Sequence, residues 1–465
     1  MVEWQLFITF APSIILIMEK ETIVFKRKIY DRMLQWKQES NGSTALLIQG
    51  ARRIGKSTIV EEFARNEYKS YLLIDFSVAP ADILELFNDI SDLNYIFFRL
   101  QITYHAHLYE RETVIIFDEV QRCPMARQAI KHLVKDGRYD YIETGSLITV
   151  RKKSVDILIP SEETKVDMFP MDYEEFRWAL GDAVTVPLLR QAFDKRNPLG
   201  DAVHRRMMRD FRLYMLVGGM PQAVSVYVKT NSLAAADNVK RDIIGLYKED
   251  YNKIDDTGRA VEMFNSIPAQ LSKNVSRFNA TALPSIDRMN QVTSIVRVMN
   301  ESMVTNVAYH SNDPNLGLAL TMDTERFKMY LGDIGLFVTL AFMDKDYTEN
   351  DIYNKLLNDK LSTNLGYVYE NVIAQMLRAS GKQLFYHTIP IEGGKKYYEI
   401  DFVIADGFKI SPIEVKSSGY KTHASLDAFC KKYSERIKNK YLIYTKDLKR
   451  IEDVDYIPVY MTMFL

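Results

Sequence analysis

The stretch most informative about the fold is Ala45-Leu-Leu-Ile-Gln-Gly50-Ala-Arg-Arg-Ile-Gly55-Lys56-Ser57-Thr58. It contains the phosphate-binding pattern G-x-x-x-x-G-K-S, known as Walker A, between an apolar strand and a helical pattern. Glycines let the backbone curl so that its N–H groups point toward phosphate oxygens, at the positive end of the helix that follows. The sequence therefore predicts an α/β fold with the parallel sheet of a P-loop NTPase.

We expect the residues of this loop to contact ATP: Gly50, Ala51, Arg52, Arg53, Ile54, Gly55, Lys56, Ser57 and Thr58. Lys56 can reach the β- and γ-phosphates, and the Ser57 hydroxyl can ligate Mg²⁺. The competing interpretation is a glycine-rich turn that resembles the motif by chance. The flanking strand and helix argue against that interpretation, because they are the context that the motif needs.

A second apolar run ends in two acids and has the shape of a Walker B strand. Thr113-Val-Ile-Ile-Phe117-Asp118-Glu119 is typical of a strand covered on both faces, as in a parallel sheet. Such sheets bind ligands at the carboxyl ends of their strands. We expect Asp118 to hold the Mg²⁺ shell and Glu119 to polarise the attacking water. Without the Walker A loop, the run could equally be a buried strand that ends in surface acids.

A third strand ends on a small hydroxyl residue. The run Tyr139-Asp-Tyr-Ile142-Glu-Thr144-Gly-Ser146 has this form, and in AAA-type ATPases the strand beside Walker B ends in a polar sensor. Thr144 is the candidate for a catalytic sensor that touches the γ-phosphate or the water. The alternative is an ordinary strand-end threonine that makes a turn hydrogen bond.

The C-terminal part carries a separate group of charged residues. Glu370 lies in the first turns of a predicted helix, Asp401 lies in an alternating strand, and Glu414-Val-Lys416 follows on the next strand. A period of two places Glu414 and Lys416 on one strand face. This order is that of metal-dependent nucleases of the PD-(D/E)XK type. We expect Asp401, Glu414 and Glu370 to hold Mg²⁺, with Lys416 as the catalytic group that orients the water.

Two less specific interpretations of this C-terminal group stay open. The pattern can mark the fold while the charged residues serve binding or salt-bridge structure rather than nuclease chemistry. The basic run between Lys431 and Lys440 could face phosphate, although a solvated helix face is the commoner explanation.

The order of these patterns predicts five regions. Residues 1–18 are an apolar or spurious extension, 19–180 an AAA-type ATPase domain, and 181–264 a helical lid with a sharp corner at Gly218-Gly219. Residues 265–335 predict a winged helix-like module, with wing strands near 304–310 and 327–333. Because the second helix of the module has few basic residues, we favour internal packing or partner docking over DNA reading. Residues 336–465 predict an α/β restriction-endonuclease-like domain.

Composition limits the classes of protein that fit. The formal net charge of the 465 residues is -1, which excludes a uniformly basic protein and leaves local patches as the only route to nucleic acid. Cys123 and Cys430 have no metal-ligand spacing and indicate reduced thiols of a cytoplasmic protein. Residues 4–17 are apolar but poor as a signal peptide. A true start at Met18 explains them best, and a membrane anchor is the alternative.

The chain from residue 20 onward resembles the prokaryotic AAA-family ATPases that have an uncharacterised, PD-(D/E)XK-like C-terminal domain. The motifs that carry the resemblance lie at residues 50–57, 117–121, 143–146, 171–176, 217–221, 330–336 and 370–418. The resemblance implies ATP binding and hydrolysis. Many relatives have a Gly-Arg pair before the Phe-Pro-Met segment, where this chain has Ser161-Glu-Glu-Thr-Lys165. The arginine finger is therefore unassigned, with Arg122, Arg127 and Arg151 as candidates.

Three functions fit the sequence. The first is a Mg²⁺-dependent ATPase whose nucleotide state repositions the lid, the winged helix-like module and the nuclease-like domain. The second is a slow nucleotide-gated switch that recruits a partner, and the third is an ATP-controlled DNA endonuclease. DNA, a protein partner and a homo-oligomer are each compatible with these functions.

Overall fold

Five parallel strands form the sheet that carries the predicted nucleotide loop. The computed structural model describes residues 23–146, 159–273, 276–286, 290–344, 366–391, 393 and 396–465. The strands are β1 (Ala45–Gln49), β2 (Ser70–Asp75), β3 (Thr113–Asp118), β4 (Asp140–Gly145) and β5 (Glu163–Asp167), and they lie in the order β2-β3-β4-β1-β5. The sequence prediction of a P-loop parallel sheet is confirmed. Each of the β1 and β3 residues is buried, as expected for strands covered on both faces.

Helices cover both faces of this sheet. They are α1 (Ile29–Ser40), α2 (Lys56–Glu67), α3 (Ala81–Leu86), α4 (Leu93–Tyr104), α5 (Pro124–Asp136) and α6 (Tyr173–Ala179). Neighbouring strand residues face different cores: Ile48 joins the core that includes α2, whereas Leu47 joins the core that includes α4 and α5. Because helices cover both faces of the sheet, ligands can reach it at the carboxyl ends of its strands.

A helical region follows the ATPase sheet and contains the predicted sharp corner. Its helices are α7 (Thr185–Lys195), α8 (Asp201–Val217), α9 (Pro221–Thr230), α10 (Leu233–Ile254), α11 (Arg259–Ser272) and α12 (Asn290–Glu301). The corner between α8 and α9 needs both glycines. A Cβ atom on Gly219 would lie 2.0 Å from the Met171 carbonyl oxygen, and Gly218 has a φ of +82°.

An eight-stranded mixed sheet occupies the C-terminal half. Its strands are β6 (Thr305–Ser311), β7 (Met322–Leu331), β8 (Phe385–Pro390), β9 (Tyr397–Asp406), β10 (Lys409–Lys416), β11 (Lys440–Tyr444), β12 (Lys449–Ile451) and β13 (Val454–Pro458), in the order β12-β13-β11-β10-β9-β8-β6-β7. Its helices are α13 (Ile334–Ala341), α14 (Gly366–Ala379) and α15 (Ala424–Lys432). The α14 face belongs to the same apolar core as β1 and α8, so one core joins the two sheets.

The predicted wing strands do not form a separate module. They pair with each other as an antiparallel hairpin, β6 with β7, but β6 also pairs in parallel with β8 through Tyr309 and Phe385. The hairpin is therefore one edge of the C-terminal sheet, and the predicted boundary at residue 335 separates strands that share a sheet. The winged-helix interpretation stays a prediction, and local alternation alone could not show that β6 also pairs with a distant strand.

Two smaller predictions concern the thiols and the membrane. Cys123 and Cys430 are both free and buried. No helix in the described part of the chain has the length and apolar character needed to cross a bilayer. Residues 4–17, which carried the alternative of a membrane anchor, lie outside the described residues.

Candidate nucleotide site

The Walker A loop connects the interior strand β1 to α2. Gly55 has a φ of 90° and Arg53 a φ of 68°, so two loop residues adopt left-handed backbone conformations just before the helix. A Cβ atom on Gly50 would lie 2.4 Å from the Met168 carbonyl oxygen, which explains the glycine at the start of the loop. The helix α2 begins at Lys56, which places its free N–H groups at the loop.

Lys56 is buried and folds back over the loop. Its Nζ atom donates hydrogen bonds to the carbonyl oxygens of Gly50, at 3.0 Å, and Ala51, at 2.8 Å. Burial lowers the pKa of the Lys56 ammonium to about 8, while the nearby carboxylates of Glu119 and Asp118 act in the opposite direction. Among the described residues, no carboxylate is bonded to Lys56, which suits a group that binds phosphate.

Three predicted site residues meet at one carboxylate oxygen. The Ser57 hydroxyl donates to Asp118 Oδ1 at 2.8 Å, and the Thr144 hydroxyl donates to the same oxygen. A hydroxyl and a carboxylate held together are the hard oxygen donors that Mg²⁺ prefers. Ser57 and Asp118 therefore fit the metal implied by the P-loop, and Thr144 lies beside them at the end of β4.

Glu119 occupies an unusual backbone conformation at the end of β3. Its φ is 53°, in the left-handed region that non-glycine residues rarely adopt, and its N–H donates to Thr144 Oγ1 at 3.3 Å. One of its carboxylate oxygens, Oε2, accepts a hydrogen bond from the side-chain amide of Gln121. Sequence reasoning missed Gln121, although its position two residues after Glu119, in the strand-end turn, was a usable signal.

The side chains of Lys56, Ser57, Asp118, Glu119 and Gln121 line a cavity of about 1130 Å³. Its walls come from the loop and the β3 end, from residues 23–27 before α1, from α9 and α10, and from Ser302 and Val304 before β6. Two contacts tie the loop to α10: the Tyr247 hydroxyl donates to the Arg52 carbonyl oxygen at 2.7 Å, and Arg52 Nη1 lies 3.3 Å from Asp250 Oδ1. The helical lid therefore touches the nucleotide loop directly, which the sequence did not show.

The arginine candidates separate by position. Arg122 lines the cavity, together with Arg52 and Arg53. Arg127 is 3% exposed and forms a bidentate pair with Glu163, at 2.9 and 3.0 Å, so it serves the structure of the sheet. Arg151 lies outside the described residues.

The predicted C-terminal metal residues fall into two groups with different partners. In the first group, Lys328 Nζ lies 3.7 Å from Glu370 Oε2 and also pairs with Glu399. The Asp401 carboxylate accepts a hydrogen bond from the Val415 N–H at 2.7 Å. Burial raises the pKa of Asp401 well above its usual range, and the charge of Glu370 adds to this effect.

The second group is an ion pair between Glu414 and Lys416. Glu414 Oε1 lies 2.8 Å from Lys416 Nζ, and Glu414 Oε2 accepts from the Leu426 N–H of α15 at 3.2 Å. Glu370 lies on α14, which packs with Val415 on the other strand face. Among the described residues, no group of three or more His, Cys, Asp or Glu side chains is placed to hold a metal ion. Glu370 and Asp401 thus interact with each other, while Glu414 pairs with Lys416, and the metal site predicted from Asp401, Glu414 and Glu370 stays a prediction.

Three family models match successive parts of the chain. Residues 42–177 match a family described as an AAA domain, and residues 208–347 and 365–461 match two different domains of unknown function. No curated protein matches the sequence. The AAA match and the loop geometry define the class of the first region, which is a P-loop ATPase domain.

Three solved structures show a weaker likeness. The Walker-type ATPase of Pyrococcus abyssi is 15% identical with a TM-score of 0.40, over 68% of this chain and 96% of that chain. PCH-2 of C. elegans is 11% identical with a TM-score of 0.27, over 46% and 66%. The Signal Transduction ATPase with Numerous Domains of Pyrococcus horikoshii, which has a tetratricopeptide repeat sensor, is 12% identical with a TM-score of 0.23, over 77% and 46%. These scores are too low to define a shared fold.

Proposed function

We propose that the chain is a Mg²⁺-dependent ATP hydrolase that couples its nucleotide state to the C-terminal sheet. The observation that carries the proposal is the convergence of Lys56, Ser57, Asp118 and Glu119 at one cavity beside a helix N-terminus. The buried Thr144 supports this group from behind through its hydrogen bond to Asp118. In phosphoryl transfer the protein contributes mainly positioning and charge stabilisation, and these residues offer both.

The phosphates would be held by the loop and by Lys56. When ATP enters, the Lys56 ammonium would exchange its bonds to the Gly50 and Ala51 carbonyl oxygens for bonds to the terminal phosphates. Ser57 and Asp118 would hold Mg²⁺, which supplies charge neutralisation at the phosphate oxygens when it is bound.

Hydrolysis would use Glu119 as the proton acceptor. The water oxygen bonds to the γ-phosphorus, the bond from that phosphorus to the bridging oxygen breaks, and a water proton passes to the Glu119 carboxylate. The products are ADP and phosphate. Thr144 would keep Asp118 in place through the hydroxyl hydrogen bond that it already donates.

A buried set of hydrogen bonds supports the coupling to the C-terminal sheet. Asp333 accepts from the Gly219 N–H at 2.6 Å and from the Leu336 N–H at 2.9 Å. Gln375 of α14 donates to the Tyr214 hydroxyl at 2.9 Å, and Tyr214 donates to the Met171 carbonyl oxygen at 3.0 Å. We call this set of residues the connector, because it joins the ATPase domain, the α8–α9 corner and the C-terminal helices.

The lid helix α10 links the connector to the nucleotide loop. Tyr247 and Asp250 near its C-terminal end contact Arg52, whereas Lys240 near its middle donates to the Leu216 carbonyl oxygen at 2.6 Å. A shift of α10 that follows the loop on ATP binding would therefore reach the end of α8 beside Gly218. This route gives the coupling a specific mechanical path.

The alternative from the binding class is a slow switch that recruits a partner. The connector is equally compatible with this switch and with the hydrolase, because repositioning of the C-terminal sheet needs ATP binding rather than fast turnover. DNA, a protein or a second copy of the chain remain the proposed partners. The C-terminal charges, which are already paired with Lys328 and Lys416, favour a recognition module over nuclease chemistry.

Phosphate release from ATP by the full chain tests the hydrolase. We expect turnover with Mg²⁺, none with EDTA, and a loss of at least about tenfold in Ser57→Ala, because the metal loses a ligand. Ser91→Ala, an exposed serine away from the cavity, is the matched control. ATP binding without turnover, with and without DNA, would replace the hydrolase with the slow switch. Absence of ATP binding would contradict both.

Hydrogen exchange in α14 tests the coupling. We expect ATP to change the exchange of the α14 amides in the parent, and this change to disappear in Tyr247→Phe, which loses its bond to the loop, and in Asp333→Asn. Asp427→Asn, on exposed α15 surface, should behave as the parent. An ATP response of α14 that persists in both variants would contradict the proposed path.

A further inference from the structure

Gln121 lies in the short turn after Glu119 and is 4% exposed. Its Nε2 atom donates to Glu119 Oε2, and its other amide atom, Oε1, is buried and has no hydrogen-bond partner among the described atoms. Gln121 also lines the nucleotide cavity. A carboxylate can only accept hydrogen bonds, so the NH₂ group of the amide has to face Glu119 and the oxygen has to face away.

The bond between the two side chains matters because the Glu119 backbone does not fix the carboxylate. Glu119 has a left-handed φ of 53° and is only partly buried, and a glutamate side chain has three rotatable bonds. A general base has to lie within about 3 Å of the proton that it accepts. Among the described residues, the side chain that donates a hydrogen bond to the Glu119 carboxylate is that of Gln121.

We propose that Gln121 is the positioning residue that holds the Glu119 carboxylate toward the attacking water. This inference rests on the proposed ATP hydrolysis and adds a residue to it. Within the described structure, the Gln121 side chain bonds to Glu119 and not to the Walker A loop, so it acts on the rate through Glu119 rather than on ATP affinity. The buried Oε1, which has no partner among the described atoms, marks a point where a further hydrogen-bond donor is expected.

The test replaces Gln121 by Met, which keeps the length of the side chain and removes the amide. We expect kcat to fall about 10- to 100-fold, since misplacing a catalytic group by about 1 Å costs on this order, while the Kd for ATP stays within about twofold. Gln128→Met, the same change at a half-buried position on α5 outside the cavity, should leave kcat and Kd at parental values.

A double variant separates positioning from a general structural role. If Gln121 acts through Glu119, then Glu119→Gln with Gln121→Met should hydrolyse ATP no more slowly than Glu119→Gln alone, because the carboxylate that is positioned has gone. Losses that multiply, or a Gln121→Met variant with parental kcat, overturn the inference and leave the hydrolase proposal intact. A parent that binds ATP but does not hydrolyse it overturns both.

Discussion

The nucleotide cavity and the group of Lys328, Glu370 and Glu399, here called the Lys328 cluster, both place a buried lysine among carboxylates, yet their lysines differ. Lys56 bonds to two backbone carbonyl oxygens, and burial lowers its pKa to about 8. Lys328 pairs directly with Glu399 and Glu370, and although burial acts to lower its pKa, those carboxylates raise the value well above the usual range. The first lysine has no carboxylate bonded to it, whereas the second is already neutralised.

The difference separates a binding site from a structural charge cluster. In the cavity, the Asp118 carboxylate is occupied by the Ser57 and Thr144 hydroxyls rather than by the lysine, so cation and anion are kept apart until ligand and metal arrive. In the C-terminal sheet the opposite charges already meet, and little electrostatic energy remains for a ligand. Charged residues at motif spacing therefore indicate binding only when the fold leaves them uncompensated.

The largest effect is expected on the rate of hydrolysis, when the proposed proton acceptor Glu119 is replaced. Glu119→Gln should keep ATP affinity and slow hydrolysis by about 10²- to 10⁴-fold, because an amide matches the carboxylate in shape but is a poor proton acceptor. Single-turnover phosphate release, together with an ATP titration, measures both quantities. Parental hydrolysis by this variant would show that another group accepts the proton.

The structural role of the Lys328 cluster predicts the next effect. Lys328→Met leaves Glu370, Glu399 and Asp401 without their cation, so the free energy of unfolding should fall by about 3 kcal/mol. Lys438→Met is the control, since the pair of Lys438 with Asp406 is half exposed and should contribute less than about 1 kcal/mol. Urea denaturation measures both. Equal losses of unfolding free energy in the two variants would contradict the structural role of the Lys328 cluster.

Removal of the Lys56 ammonium should weaken ATP binding. Lys56→Ala should weaken ATP binding at least about tenfold, because the ammonium aimed at the terminal phosphates is lost. The fold should persist, since Lys56 makes no ion pair in the described structure. Calorimetric titration gives the Kd, with exposed Lys69→Ala as control. Unchanged affinity in a folded Lys56→Ala protein would contradict the assignment of the loop.

The lowered pKa of Lys56 predicts the smallest effect. Above about pH 8 the empty site loses the Lys56 proton, and ATP then has to restore it on binding. ATP affinity should therefore be constant below about pH 8 and fall by up to about tenfold per pH unit above it. Lys56→Arg should remove this dependence, because a guanidinium stays protonated. Titrations at about pH 7 and 9 measure the change, and a flat parental profile would be inconsistent with it.

The nucleotide site could be predicted from sequence because most of its residues lie close together in the chain. Gly50, Gly55 and Lys56 act within one loop, and the strand ends of β3 and β4 converge wherever parallel strands adjoin. The contact between the predicted lid and the loop could not be predicted in this way, because Tyr247 reaches Arg52 across almost two hundred residues of chain. No local period or motif records such a contact.

The C-terminal charged residues could be predicted only in part, because their partners lie far away in the chain. Alternation correctly places Glu414 and Lys416 on one strand face, and they form an ion pair. What the sequence could not show is that Lys328, from a predicted wing strand, lies next to Glu370 and Glu399. That contact depends on β6 and β7 joining the sheet beside β8, and on an irregular register between β8 and β9 near Phe385.

The hairpin at the sheet edge has a practical consequence for dividing the protein. A fragment that begins at residue 336 would lack β6 and β7 and leave the backbone of β8 unpaired along one side, an open edge that invites self-association. It would also lack Lys328, the cation of its own carboxylates. A fragment that begins before β6, near residue 303, keeps the eight strands and Lys328 together, but it would still expose the apolar surface that α14 shares with α8 in the whole chain.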